Sequence, residues 1–176
     1  TPQAASLTCK GTQALGTDFR WGGIPNRGDT NKQTTSLGIM ATENGTEVTI
    51  FGYDANCVFR KGIDPRGINI TTNPTNTITV TLDAGQTYVL EAVRNESLTH
   101  LSAAEDAANF DGWLGATIQS NLPIALAVGG LNVGVVAGQG GRDAGMDQPV
   151  PTNVIGKEYV FVRGYGSTNN AGEFPI

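Results

Sequence analysis

The segment Thr77-Ile78-Thr79-Val80-Thr81-Leu82 alternates polar and apolar residues without a break. A period of two belongs to a strand with one buried face, so Ile78, Val80 and Leu82 point inward together. Asp83-Ala84-Gly85-Gln86 then reads as a turn into a second strand over 87–93, and the two predict a hairpin. Upstream, Asn44-Gly45 sits between strand-like segments at 37–42 and 46–51. That dipeptide suits the two positive φ angles of a type I′ turn, which predicts another hairpin with Val48 and Ile50 inward. Residues 98–110 are the only stretch with helical character, through Leu98, Leu101, Glu105 and several alanines. Strands resume over 113–120 and 123–128, and the second of these, lacking polar alternation, reads as buried on both faces. A glycine-dense region over 129–145 surrounds an apolar 133–137, and a last strand is expected over 158–163. About ten short strands with turn signals every 8 to 12 residues or so predict an all-β fold. The expected architecture is an antiparallel β-sandwich, jelly-roll or Ig-like, with at most one short helix near 98–110.

An internal echo adds to this pattern. Leu15-Gly16-Thr17-Asp18-Phe19-Arg20-Trp21 and Ile155-Gly156-Lys157-Glu158-Tyr159-Val160-Phe161 both run from an aliphatic residue through Gly, a polar residue, an acid and an aromatic into a strand. Residues 1–176 therefore read as a single module, one unit followed by the opening strand of a second, as in a fragment of a larger modular protein.

Composition narrows the class. Charged residues are only 15% of the chain, against about 25% in an average soluble domain. Glycine supplies 24 of 176 residues, the profile of strands joined by tight turns. The net charge of -5 opposes binding to nucleic acid or an anionic membrane, because phosphate recognition rests on clustered Lys and Arg. No apolar run approaches the roughly 20 residues needed to span a bilayer as a helix, and membrane insertion is not expected. Cys9 and Cys57 are the only cysteines. Either they form a disulfide in an oxidising compartment, adding about 3 to 4 kcal/mol, or both remain buried thiols.

Candidate chemistry is sparse. His100 is the sole histidine, and neither Ser97 nor Ser102 has the glycine-elbow setting of a nucleophile. One His and two distant Cys do not make a zinc site. Gly138-Gln139-Gly140-Gly141-Arg142-Asp143 lacks both the third glycine of a dinucleotide fingerprint and the Lys-Ser/Thr of a P-loop. Carboxylates near glycines are better candidates: Asp106 and Asp111 beside Asn109 and Gly112, and Asp143 and Asp147 around Gly145. Oxygen ligands of this type suit Ca²⁺, although Ala107 interrupts the EF-hand spacing, and the alternative is solvated turn carboxylates. No other cofactor is implied. The aromatic residues Phe19, Trp21, Tyr88, Trp113, Tyr159 and Phe161 are assigned mainly to the core, with Trp113, between Gly112 and Gly115, the exposed one.

Five segments in order carry a family resemblance: Gly16-Thr17-Asp18-Phe19; Ala41 to Ile50 through Glu43-Asn44-Gly45-Thr46; Val80-Thr81-Leu82-Asp83-Ala84-Gly85-Gln86-Thr87-Tyr88; Gly115-Ala116-Thr117-Ile118-Gln119-Ser120-Asn121-Leu122-Pro123-Ile124-Ala125; and Asp147-Gln148-Pro149-Val150-Pro151 followed by Gly156-Lys157-Glu158-Tyr159. With these the chain resembles the IgGFc-binding protein N-terminal domain family, in the version found in large bacterial surface proteins. The resemblance implies a duplicated β-sandwich module that is secreted or displayed on a cell surface. Its eukaryotic namesake binds the Fc part of IgG, the bacterial members imply adhesion or surface structure, and no catalytic residue is implied. Residues 94–112 depart from the pattern as an Ala-rich insertion.

The expected function is thus a non-catalytic extracellular module for adhesion or surface architecture, meeting a protein or glycan ligand. The alternative is a filament subunit whose copies share strands through unpaired edges. A carbohydrate-active enzyme ranks third and would need two carboxylates about 5 to 9 Å apart in a groove.

Overall fold

The computed structural model describes residues 9–23, 33–62, 70–72, 76–94, 101–133 and 143–158. Within them lie β1 (Gly16–Arg20), β2 (Gln33–Ala41), β3 (Thr46–Phe51), β4 (Val58–Gly62), β5 (Ile70–Thr72), β6 (Thr77–Leu82), β7 (Thr87–Arg94), α1 (Ala103–Asp111), β8 (Thr117–Val133) and β9 (Asp143–Asp147). Short 3-10 turns at Gly11–Ala14 and Thr152–Val154 flank β1 and follow β9. The fold is all-β and antiparallel, with one α-helix among the described residues. The expected strands over 133–137 and 158–163 fall mainly outside the described residues. So does most of the second copy of the internal echo, of which 155–158 form exposed coil.

The 17-residue β8 is the spine of a nine-stranded sheet. Along one edge it pairs first with β3, over Thr117 to Ser120, and then with β2, over Ile124 to Leu131. Along the other it pairs with β1 and then β9. The order β5-β4-β7-β2 extends from its second half, and β3-β6 extends from its first.

This topology overturns both predicted hairpins. β2 and β3 do not pair with each other; they lie end to end against β8. β6 pairs with β3 and β7 with β2, so the turn at 83–86 also passes from one half of the sheet to the other. Gly45 does take a positive φ of 70°, but Asn44 does not, so the turn is not type I′. The reason is physical: turn residues fix a local bend, whereas the long edge of β8 decides what each flanking strand pairs with.

The three strands change halves side by side, and polar contacts lock that corner. The Gly85 amide donates to the Ala41 carbonyl at 2.9 Å, and the Ala41 amide to the Gln86 carbonyl at 3.1 Å. The Asn121 amide nitrogen donates to the Gly45 carbonyl at 3.2 Å, while its oxygen accepts from the Glu47 amide at 2.8 Å. Pro123, which has no N–H for a ladder, sits where the β1–β8 register shifts. Corners of this sort let one sheet fold across its own core.

That core is continuous. Phe19, Val48, Ile50, Ile78 and Ile118 from one half meet Leu37, Ile39, Phe59, Leu90 and Leu126 from the other in one cluster. The inward assignments of Val48, Ile50, Ile78 and Leu82 hold. Trp113, expected to be exposed, is fully buried: its ring stacks on Trp21 at 3.9 Å and its Nε1 donates to Thr35 Oγ1 at 3.1 Å. The strand expected from 113 begins at Thr117, because Trp113 to Gly115 form the turn that folds this indole inward.

α1 starts at a capping box, Ser102 Oγ accepting from the Glu105 amide while Glu105 accepts from the Ser102 amide. Its buried Asn109 fastens it to the sheet. The side-chain oxygen accepts from the Val58 amide at 2.8 Å, and Nδ2 donates to the Val58 and Val93 carbonyls at 2.9 and 2.8 Å.

Candidate functional site

Strand alternation gives the sheet an outer face with two contrasting regions. On β6, β3, β8 and β1 the outward residues are mostly polar, with Phe51 the exception, and some pair with one another: Thr49 and Thr79 hydroxyls lie 3.3 Å apart, and Gln119 Nε2 donates to Asp18 Oδ2 at 3.1 Å. Around Gly38 on β7, β2 and β8 they are mainly apolar. Register sets Gly38 between Val89 and Ala127, and Met40 between Thr87 and Ala125. Leu37, Ile39, Leu90 and Leu126, the alternate residues, fill the core beneath.

Because Gly38 has no side chain and Ala125 and Ala127 carry one methyl each, the face sinks into a groove of about 350 Å³, walled by Met40 and Val89 with Thr87 at its margin. A pocket of this size takes one large side chain or a short apolar segment. Met40, 42% exposed, is the adaptable rim residue, since an unbranched thioether moulds to irregular partners. A Cβ at Gly38 would make only ordinary contact, 3.8 Å from the Ala127 carbonyl oxygen, so the space is real and open. The two-sided burial expected for 123–128 is thereby corrected: Ile124, Leu126 and Val128 are buried, but Ala125 and Ala127 line the groove. An outward alanine looks like core in a sequence. The signal available was the neighbourhood of Gly38 and Met40 on a strand of otherwise inward-facing aliphatics.

The candidate calcium ligands are not brought together. Asp106 lies in the first turn of α1, where an acid complements the helix dipole, and Asp111 ends the same helix. α1 packs on β7 and β4, whereas Asp143 and Asp147 belong to β9, across β2 and β8 in the sheet order. Asp147 instead pairs with Lys10 Nζ at 2.8 Å. Among the described residues no three His, Cys, Asp or Glu side chains converge as a metal site would require.

The Lys10 contact belongs to a larger clasp. The Lys10 amide donates to Gln148 Oε1 at 2.7 Å, Nζ also reaches the Gln148 carbonyl, and Thr152 Oγ1 donates to Asp18 Oδ1 at 3.2 Å. A Cβ on Gly16 would overlap the Pro151 ring. The segment after β9 is thus fixed against β1. Hydrogen bonding from Gln119, with Arg20 nearby, holds the Asp18 carboxyl below its usual 3.8, and the Ser102 cap lowers Glu105. A depressed carboxylate contributes stability above its unfolded pKa and loses it as pH falls through the folded value. Stability measured by urea unfolding should therefore hold level above pH 5 or so and decline below about pH 4, with the decline smaller in Asp18→Asn. An identical acid limb in that variant would contradict the assignment.

Cys9 and Cys57 are both free, Cys9 exposed and Cys57 fully buried, so the disulfide expectation is not met in this structure. Cys57 Sγ donates to the Ala108 carbonyl at 3.4 Å. Burial, with Asp54 nearby, pushes its thiol up to about 12. Since thiolate is the reactive form, iodoacetamide at pH 8 should modify Cys9 alone in the native chain and both cysteines in denaturant. Two native adducts, or none, would contradict the placement.

Among the described residues no helix is long and apolar enough to cross a membrane. No curated protein and no solved structure matches the sequence. Residues 4–176 match the family described as IgGFc binding protein, a family of binding modules, and the match takes in every strand that forms the groove. By that match the chain belongs to the IgGFc-binding protein family.

Proposed function

We propose that the chain is a non-catalytic, extracellular binding module of a bacterial surface protein, serving adhesion or surface architecture, with the groove on β7, β2 and β8 as its ligand face. The observation that carries this reading is the apolar groove on the outer face of the sheet, held on three hydrogen-bonded strands and so rigid before a ligand arrives. Its chemistry fits an apolar side chain of a protein partner, with strand-borne Thr87 as a polar handle at the rim. The name of the matched family makes the Fc fragment of IgG one probe, and a mucin glycoprotein, chosen as a glycan-bearing surface, is a second.

Surface plasmon resonance with each probe immobilised tests it. Wild-type chain should bind at least one of them, and Ala127→Arg, which fills the groove from a half-exposed position, should weaken binding about tenfold or more, a loss of 1.4 kcal/mol. Thr79→Arg on the opposite region should bind as wild type. Equal binding by the Ala127 variant would move the site off the groove, and no binding to either surface would remove the adhesion reading.

The second reading, a strand-sharing filament subunit, is favoured by β6, which ends the strand order and pairs only with β3 among the described strands. It requires concentration-dependent assembly in sedimentation velocity. A single monomeric species at high concentration excludes it.

A further inference from the structure

At the corner, Asn44 and Gly45 stand among groups that act on both of them. The Gly45 amide donates to Asp83 Oδ1 at 3.2 Å, and the Ala84 amide donates to Asn44 Oδ1 at 3.0 Å. Asn44, Gly45, Asp83 and Ala84 are all exposed. Gly45 has a φ of 70°, and apart from its chain neighbours no atom lies within 4 Å of where its Cβ would be, so that side of the residue is open.

We propose that Asn44-Gly45 is a self-modification site, at which the corner promotes cyclisation of Asn44 onto the Gly45 nitrogen and hydrolysis to aspartate or isoaspartate. The Gly45 nitrogen gives its proton to Asp83 Oδ1 and forms a bond to Asn44 Cγ. Charge gathers on Asn44 Oδ1, where the Ala84 N–H already points. The bond from Cγ to Nδ2 breaks, and ammonia leaves with the proton returned from Asp83. Water then opens the succinimide at either carbonyl. The net change is amide plus water to acid plus ammonia, with no oxidant or cofactor. The Asp83 carboxylate acts as a positioned base on the nucleophile and the Ala84 amide as an oxyanion donor. Opening toward isoaspartate moves a methylene into the backbone where β2 hands over to β3, and either product places a carboxylate opposite Asp83.

The test is incubation of the purified full chain at pH 7.4 and 37 °C in ¹⁸O-water, followed by peptide mass spectrometry of residues around 44. The folded chain should gain acid and isotope label at Asn44 severalfold faster than the same chain held unfolded in urea. Asp83→Asn should slow the folded chain severalfold and leave the unfolded rate unchanged, and Asn44→Gln should abolish the modification. Slower reaction in the folded chain than in urea would overturn the proposal, because the corner would then be protecting the amide. An Asp83→Asn rate equal to wild type would overturn the role of the carboxylate.

Discussion

Trp113→Ala is expected to cost about 3 to 5 kcal/mol of stability, the range for truncating a large aromatic in a close-packed core. The indole is fully buried, stacks on Trp21 at 3.9 Å and meets Phe59 at 5.0 Å, so its removal leaves a cavity bordered by two rigid rings. It also deprives Thr35 Oγ1, on the same strand as Gly38 and Met40, of the N–H it accepts from. Such a loss is a large part of a typical domain's stability of about 5 to 15 kcal/mol. Trp113→Phe, which keeps a ring but not the N–H, should lose roughly half as much. Urea unfolding followed by circular dichroism measures both. A loss under about 1 kcal/mol for the alanine variant would mean the stacked pair is not part of the core.

Asn109→Ala should cost about 3 kcal/mol through a different route, by stranding polar groups. The side chain has no exposed surface, and it satisfies the Val58 amide and the Val58 and Val93 carbonyls, each a backbone group on β4 or β7. Alanine leaves all three buried without their partner. Asn109→Asp is the sharper probe. It keeps an acceptor for the Val58 amide but turns an acceptor oxygen toward two carbonyls where Nδ2 had donated. Burial and this repulsion raise the folded pKa of the new carboxyl above its unfolded value, so the penalty is largest at neutral pH and shrinks as the group is protonated. The gap between Asn109→Asp and wild type should therefore close on moving from pH 7 toward pH 4. A gap that stays constant over that interval would mean water reaches the site.

Much of the strand content was legible because it depends on alternation alone. Ile78 and Leu82, or Val48 and Ile50, announce an inner face whatever they pair with. Pairing was not legible, and the corner shows why. Asn44-Gly45 and Asp83-Ala84-Gly85-Gln86 carry genuine turn chemistry, down to the positive φ at Gly45 and Gly85, yet β2 and β3 each pair with β8, while β6 pairs with β3 and β7 with β2. Only the length of β8 and its Pro123 distinguish these bends from hairpins. They could be weighed only once the strand was known to run unbroken from Thr117 to Val133.

The site was hidden for a related reason. Ala125 and Ala127 have the hydropathy of core residues, so an exposed apolar groove and a doubly buried strand read alike along the chain. The aspartates misled in the opposite direction. Asp147 looks like a free turn carboxylate until Lys10, 137 residues away, is found beside it. The glycines on either side of Trp113 suggest exposure in the sequence alone. Those glycines instead shape the turn in which the Gly115 amide donates to the Trp21 carbonyl and closes the two indoles together.

The claim that the β7-β2-β8 groove is the ligand face can be read directly from the chain's two methionines. Met40 lines the groove, while Met146, 50% exposed on β9, stands outside it and serves as an internal control. With ¹³C-labelled methionine methyls, titration of the Fc fragment or mucin that binds the chain should shift or broaden the Met40 signal and leave Met146 in place. Binding that moves Met146 and spares Met40 would contradict it.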